Sequence, residues 1–225
     1  GAMLETYHDG TQEVVGTTFI DDCQWDRSAE YTVTRGTLTH DAVNGCLKLF
    51  RAFHGGAAEI KGLQMSGGFI HLDFANSTGL LEGIVFGWDG QLNPSDYYFP
   101  LNGIQYFRRS NNRWRLTEIT NGTTTTLISK DVDTSLFRGV NIIWDNQAGK
   151  VYLWHDGEAP LKYEVTNPNL IKPYSKVGLT TYTTTSDTAV KFYNVQIIAA
   201  SPDATNGIAA CIPPIGGGAR YGVEE

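Results

Sequence analysis

Residues 189–198 read AVKFYNVQII, and the way their side chains alternate decides the fold. Val190 and Phe192 stand two apart, as do Val195 and Ile197, but the step from 192 to 195 is three. A strand sends successive side chains to opposite faces, so apolar residues two apart share a face. One extra residue near Tyr193-Asn194, a β-bulge, returns all four apolar side chains to a single inward face. The alternative is a strand covered on both faces.

Moving outward from this stretch, the same period of two recurs along the chain. It is clear in GFIHLDF (68–74), GIVFGW (83–88), DYYFPL (96–101), IQYFR (104–108), RWRLTEI (113–119), GVNIIW (139–144), VYLWH (151–155) and VGLTTY (177–182). Weaker runs lie at 17–20, 31–34, 46–50, 57–61 and 124–128. Asn121-Gly122 and Asp156-Gly157 separate neighbouring runs and suit the tight turns of hairpins. Many short strands with turn signals between them, and almost no helical spacing, predict an all-β protein built as a sandwich or barrel.

Composition sets the outer bounds. The 225 residues carry 24 acidic and 17 basic side chains, a net charge of −7. Nucleic acid and anionic membrane both reward a basic stripe, and the longest basic run outside Arg113–Arg115 (RWR) is Arg108-Arg109. We expect neither as a partner. Cys23, Cys46 and Cys211 show no metal-ligand spacing, which leaves one bridge plus a free thiol, or three free thiols. Gly1-Ala2-Met3 reads as a leftover of cloning, residues 1–12 as a lead, 13–198 as the sandwich, and 199–225, with its prolines and Gly216–Gly218, as a tail or linker.

The order of four segments resembles the concanavalin A-like lectin/glucanase superfamily, in its laminin G-like and carbohydrate-binding-module branches. These are Phe19-Ile20-Asp21-Asp22, Gly67–Phe74, Gly83–Trp88 followed by Tyr97-Tyr98-Phe99, and Lys176–Leu179 followed by Phe192-Tyr193-Asn194-Val195. The resemblance implies a two-sheet antiparallel jelly-roll sandwich with one concave sheet, and an extracellular setting. It spans adhesion domains, sugar-binding modules, glycosidases and lyases, so the fold leaves function open.

Glycoside hydrolysis uses two carboxyl groups roughly 5 to 10 Å apart. The hydrolase branch carries a Glu-x-Asp-x-Glu-type run on one strand, and this sequence has no such run. Asp131 and Asp133 are two apart but read as a loop. His71 and Asp73 share a strand face, which suits general-base chemistry and equally an ordinary polar face. His8, His40, His54 and His155 read as isolated.

Sugars are held by aromatic faces and by planar polar groups. Residues 88–115 are rich in both, and we expect a glycan to be held by Trp88, Asp89, Asp96, Tyr98, Arg108, Arg109 and Trp114. The competing reading puts the rings in the core and makes the charged groups surface ion pairs. Phe69, Phe74, Phe86, Trp144, Leu153 and Phe192 are expected to fill that core. Many members of the resembled family hold a structural Ca²⁺, and Asp21, Asp22 and Asp187, near the two terminal strands, are the candidate ligands here. The expected protein is thus a non-catalytic carbohydrate-binding module belonging to a larger extracellular protein. An adhesion domain and a divergent glycosidase or lyase stand as alternatives.

Overall fold

The computed structural model describes residues 3–8, 14–53, 55–74, 80–95, 99–109, 113–131, 139–146, 148–164, 175–183 and 189–200. Sixteen strands run through them: β1 (Met3–His8), β2 (Val14–Asp21), β3 (Tyr31–Arg35), β4 (Thr37–Asp41), β5 (Cys46–Phe50), β6 (Gly55–Ile60), β7 (Gly68–Phe74), β8 (Leu80–Trp88), β9 (Gly103–Arg109), β10 (Arg113–Thr120), β11 (Thr123–Asp131), β12 (Gly139–Asp145), β13 (Lys150–His155), β14 (Leu161–Glu164), β15 (Lys176–Thr183) and β16 (Ala189–Ala200). A 3-10 turn at Ser28–Glu30 is the helical element among the described residues. No helix there is long and apolar enough to cross a membrane.

The strands form two antiparallel sheets. The first runs β1-β2-β16-β7-β12-β13-β14, with the β4–β5 hairpin joined through β5 to β16. The second runs β11-β10-β9-β8-β15-β6-β3. This is the expected two-sheet jelly roll. β16 is long enough to hold two neighbours end to end on one side. Its first residues pair with β5 and its last with β2, while β7 lies along its other side.

The phase fault in β16 is the predicted bulge. Phe192 pairs with Phe74 and Asn194 with Asp73, so Tyr193 is the extra residue. Val190, Phe192, Val195 and Ile197 are all buried as a result. At the β10–β11 turn Asn121 and Gly122 both adopt positive φ, 47° and 79°, as a type I′ hairpin requires.

The main core lies between the sheets. Ile70, Leu72, Ile142 and Leu153 from the first sheet meet Ile84, Phe86, Tyr106 and Leu179 from the second. Rings cross the gap: Phe86 and Trp144 have centroids 5.5 Å apart, and Phe19 meets Tyr31 edge-on at 5.7 Å. The expected core residues Phe86, Trp144, Leu153 and Phe192 are there. Phe69 is not. It is buried on the opposite face of the first sheet with Ile143, Tyr152 and Trp154, because it alternates with Ile70. The side chain of Phe74 lies outside the described residues.

Other expectations shift in place. β1 falls within the stretch read as a lead, and β16 continues to Ala200. The DYYFPL run is not a described strand: residues 96–98 lie outside the description, and Pro100 makes an isolated bridge with Leu92. Cys23 and Cys46 are buried free thiols, and Cys211 lies outside the described residues.

Candidate functional site

The outward face of the second sheet gathers aromatic and neutral polar groups. On β9, Ile104 and Tyr106 belong to the core, so Gln105 and Phe107 face out. Gln105 pairs across with Val85 and Thr117, and Phe107 with Gly83 and Arg115. On β15, Val177 and Leu179 are core, which turns Thr180 and Tyr182 outward beside them.

Gln105 is the central group of this face. It is 3% exposed. Its Nε2 donates to Thr180 Oγ1 at 3.1 Å, while its Oε1 has no hydrogen-bond partner. A buried carbonyl left unpaired costs about 1–3 kcal/mol. Phe99 lies near this amide's strand, 6.2 Å from Tyr182 in a stacked arrangement and 6.0 Å from Phe107. The loop that carries Phe99 is closed by hydrogen bonds from Asn93 N–H to Phe99 O and from Leu101 N–H to Gln91 O, both 2.9 Å.

Of the predicted rings, Trp114 lies in the core and Trp88 is closed off within the outward face, and this is the main correction. Trp114 is 1% exposed and sits in the inter-sheet core. Alternation along β10 puts it on the same face as Leu116, and that face is inward. Trp88 is also 1% exposed. Gly87 adopts φ 57°, a backbone that favours glycine, and the β8–β15 register slips there, with Lys176 opposite Trp88 but Gly178 opposite Val85. The slip turns Trp88 to the outward face with Val85 and Ala57. A Cβ at Gly178 would come 2.6 Å from its ring, and its Nε1–H donates to Gln91 O at 2.8 Å. Neither indole offers an open face to a ligand. Among the described residues, the large rings most exposed to solvent are Trp25 and Phe53, both on loops.

The predicted polar residues divide as follows. Asp89 is half-buried at the end of β8, its Oδ1 accepting Gln91 N–H at 3.0 Å and its Oδ2 accepting Asn102 Nδ2 at 2.8 Å. It braces the loop that carries Phe99. Arg108 is not a surface cation: it is 2% exposed and pairs across with Trp114 on the inward side. Asp96, Tyr98 and the side chain of Arg109 lie outside the described residues.

His155, which reads as isolated, is tied into the core. Its Nδ1–H donates to Glu158 Oε1 at 2.6 Å, and its Nε2 stands 2.7 Å from Tyr106 Oη. Trp114 packs edge-on against its ring at 5.2 Å. Burial, with the charge of Arg108, lowers its pKa against the pull of Glu158. A neutral imidazole with Nε2 accepting the Tyr106 hydroxyl proton satisfies both of these hydrogen bonds. No spacing in the sequence links Tyr106 to His155; packing of one sheet on the other does.

The outward face of the first sheet holds the other cluster. His71 Nδ1 lies 2.7 Å from Asn141 Oδ1, and His71 Nε2 lies 3.0 Å from Asp73 Oδ1. Asn141 Nδ2 donates to Asp156 Oδ1 at 2.9 Å. Burial alone would lower the pKa of His71, but hydrogen bonds to Asp73 and Asn141 and the charges of Asp73 and Asp156 outweigh it and raise the value. One ligand atom each from His71, Asp73 and Asp156 falls within 4.8 Å of the others, a spacing that could hold a metal ion.

Of the expected calcium ligands, Asp21 and Asp22 are bonded to different partners. Asp21 is buried, its Oδ1 accepting Cys23 N–H at 2.9 Å and its Oδ2 accepting the Tyr31 hydroxyl at 3.0 Å. Asp22 is exposed and accepts Gln24 N–H at 3.1 Å. Each carboxylate is thus engaged by its own neighbours. Asp187 lies outside the described residues.

No family model and no curated protein sequence matches this chain. Solved structures do match its fold. A carbohydrate-binding module from Bacillus subtilis superposes with a TM-score of 0.54 at 13% identity, over 75% of this chain and 95% of its own. A Bacillus licheniformis beta-glucanase gives 0.57 at 10%, over 80% and 97%. The Emp47p carbohydrate recognition domain gives 0.57 at 11%, over 87% and 100%. All have the concanavalin A-like jelly roll, and the present chain has that fold.

Proposed function

We propose that this chain is a non-catalytic carbohydrate-binding module of a larger extracellular protein, with the glycan held on the outward face of the second sheet. The neighbours in fold, a carbohydrate-binding module, a lectin domain and glycan-cleaving enzymes, support a glycan-related role. The observation that carries the reading is the half-satisfied amide of Gln105. Its Oε1 is a buried acceptor without a partner, flanked on its sheet by Thr180, Thr117 and the rings of Phe107 and Tyr182. A sugar hydroxyl would supply the missing donor once the side chains covering this buried atom give way, while Phe99 and Tyr182, both partly open, offer ring surface to C–H groups.

The charge on this face favours binding over cleavage. Glu59 is held by Lys176 at 3.1 Å, and Asp89 is engaged by Asn102 and Gln91. Neither is a carboxyl free to pair with a second across a glycosidic bond. The mild polarity suits a neutral glycan, in keeping with the net charge of −7.

A glycan array carrying neutral polysaccharides, mixed-linkage β-1,3-1,4-glucan among them, tests this. Wild-type protein is expected to retain on at least one neutral glycan, with Gln105→Ala and Tyr182→Ala each losing tenfold or more. Retention unchanged in both variants overturns the assignment of the face. Reducing-sugar release by the wild-type protein overturns the non-catalytic reading. Failure to bind any glycan moves the case to an adhesion domain on the same fold.

A further inference from the structure

We propose that His71, Asp73 and Asp156 form a binding site for one divalent transition-metal ion, with Zn²⁺ the expected occupant, on the sheet face turned away from the glycan. Asp156 Oδ1 accepts from the Asn141 amide nitrogen, so the amide oxygen of Asn141 is the atom presented to His71 Nδ1. That oxygen can only accept, which fixes the Nδ1–H tautomer and leaves Nε2 for Asp73. A carboxylate also can only accept. Nε2 must therefore carry either a proton or a metal. A ligating histidine whose other nitrogen is held by an amide or carboxylate is the usual arrangement around bound metals.

The two carboxylates are arranged to match. Asn141 occupies Oδ1 of Asp156, which leaves Oδ2 turned toward Gly139. A Cβ at residue 139 would lie 2.4 Å from Asp156 Oδ2 and 2.7 Å from Asp73 Oδ1. The absent side chain is what lets the two oxygens approach one another over the β12 backbone. Gly139 and Asp73 are cross-strand partners, as are Asn141 and His71, so the sheet register itself builds the site. His71 Nε2 and Asp73 Oδ1 stand 3.0 Å apart, and a tetrahedral ion with bonds of roughly 2.1 Å would separate them to about 3.4 Å, a small opening for two partly exposed side chains. Two carboxylates and a neutral imidazole balance a 2+ charge. The imidazole selects a transition metal over Ca²⁺, which prefers six to eight oxygens. Three protein ligands leave at least one position for water. His71 and Asp73 are partly exposed and Asp156 is exposed, so an ion can enter from solvent.

Chelator-treated full-length protein titrated with ZnCl₂ by calorimetry, and with CoCl₂ by visible absorption, tests the site. One equivalent of Zn²⁺ is expected to bind, and Co²⁺ to give ligand-field bands of a mixed nitrogen–oxygen site. Asp156→Asn and His71→Gln should each weaken Zn²⁺ binding at least tenfold. Gly139→Ala is the second kind of variant. Its backbone carries no positive φ, so the fold tolerates a methyl group while the carboxylates are forced apart, and a similar loss is expected. Absence of stoichiometric binding overturns the proposal. So does binding that survives both Asp156→Asn and His71→Gln, or Ca²⁺ binding tighter than Zn²⁺.

Discussion

The two outward faces of the sandwich are made by the same alternation and carry opposite chemistry. The first sheet displays an ionic knot, in which His71, Asp73, Asn141 and Asp156 bond to one another. The second displays amides, hydroxyls and rings beside Arg115 and the Glu59–Lys176 pair, with one buried acceptor left without a partner at Gln105. The first cluster bonds to itself. The second leaves one polar atom unsatisfied. The difference teaches that a ligand-binding face is marked less by its number of aromatic residues than by what its polar atoms still lack.

The largest effect expected is at the ring that joins neither face. Trp114→Ala should cost ~3–5 kcal/mol, as for other large-to-small changes in a core, and lower the melting temperature by on the order of 10 °C. A variant of wild-type stability that fails to bind glycan would return Trp114 to the ligand and break the contrast drawn here. Next comes the register slip. Gly178→Val places side-chain atoms where the Trp88 ring lies, and should destabilise by ~1–3 kcal/mol through overpacking, read by chemical denaturation. Unchanged stability would mean that Trp88 is not pinned to this face.

Smaller effects sharpen the contrast. Chelator should leave glycan binding unchanged within error, because the ionic cluster and the Gln105 face belong to different sheets; loss of binding on chelation would merge the two sites. Gln105→Ala should change stability by less than ~1 kcal/mol, since it removes an unsatisfied acceptor along with one hydrogen bond. A larger loss would assign the amide to packing rather than to a ligand.

How far these features can be read from sequence depends on whether alternation stays unambiguous. In β16 the apolar residues flank the fault on both sides, so the bulge at Tyr193 is legible. In Gly83–Trp88 apolar residues occupy both faces, and GIVFGW reads as an unbroken strand; the slip at Gly87 leaves no mark in the pattern. The His71–Asp73 pair is legible because both lie on one strand two residues apart. Asn141 and Asp156 are not, because cross-strand register joins them and spacing along the chain does not encode it. Trp114 reads as a ligand ring for a related reason. Alternation separates Trp114 from Arg113 and Arg115 without saying which side is inward, and only the partner sheet decides.

The central claim is that the Gln105 face, and no other, receives the glycan. Amide chemical shifts of the ¹⁵N-labelled protein, followed during titration with a neutral oligosaccharide selected on the array, address it directly. The account predicts that the shifts concentrate on β9, β10 and β15, with the Gln105 side-chain amide among the most displaced. Shifts confined to β7, β12 and the Asp156 turn, or to the loops bearing Trp25 and Phe53, would contradict it.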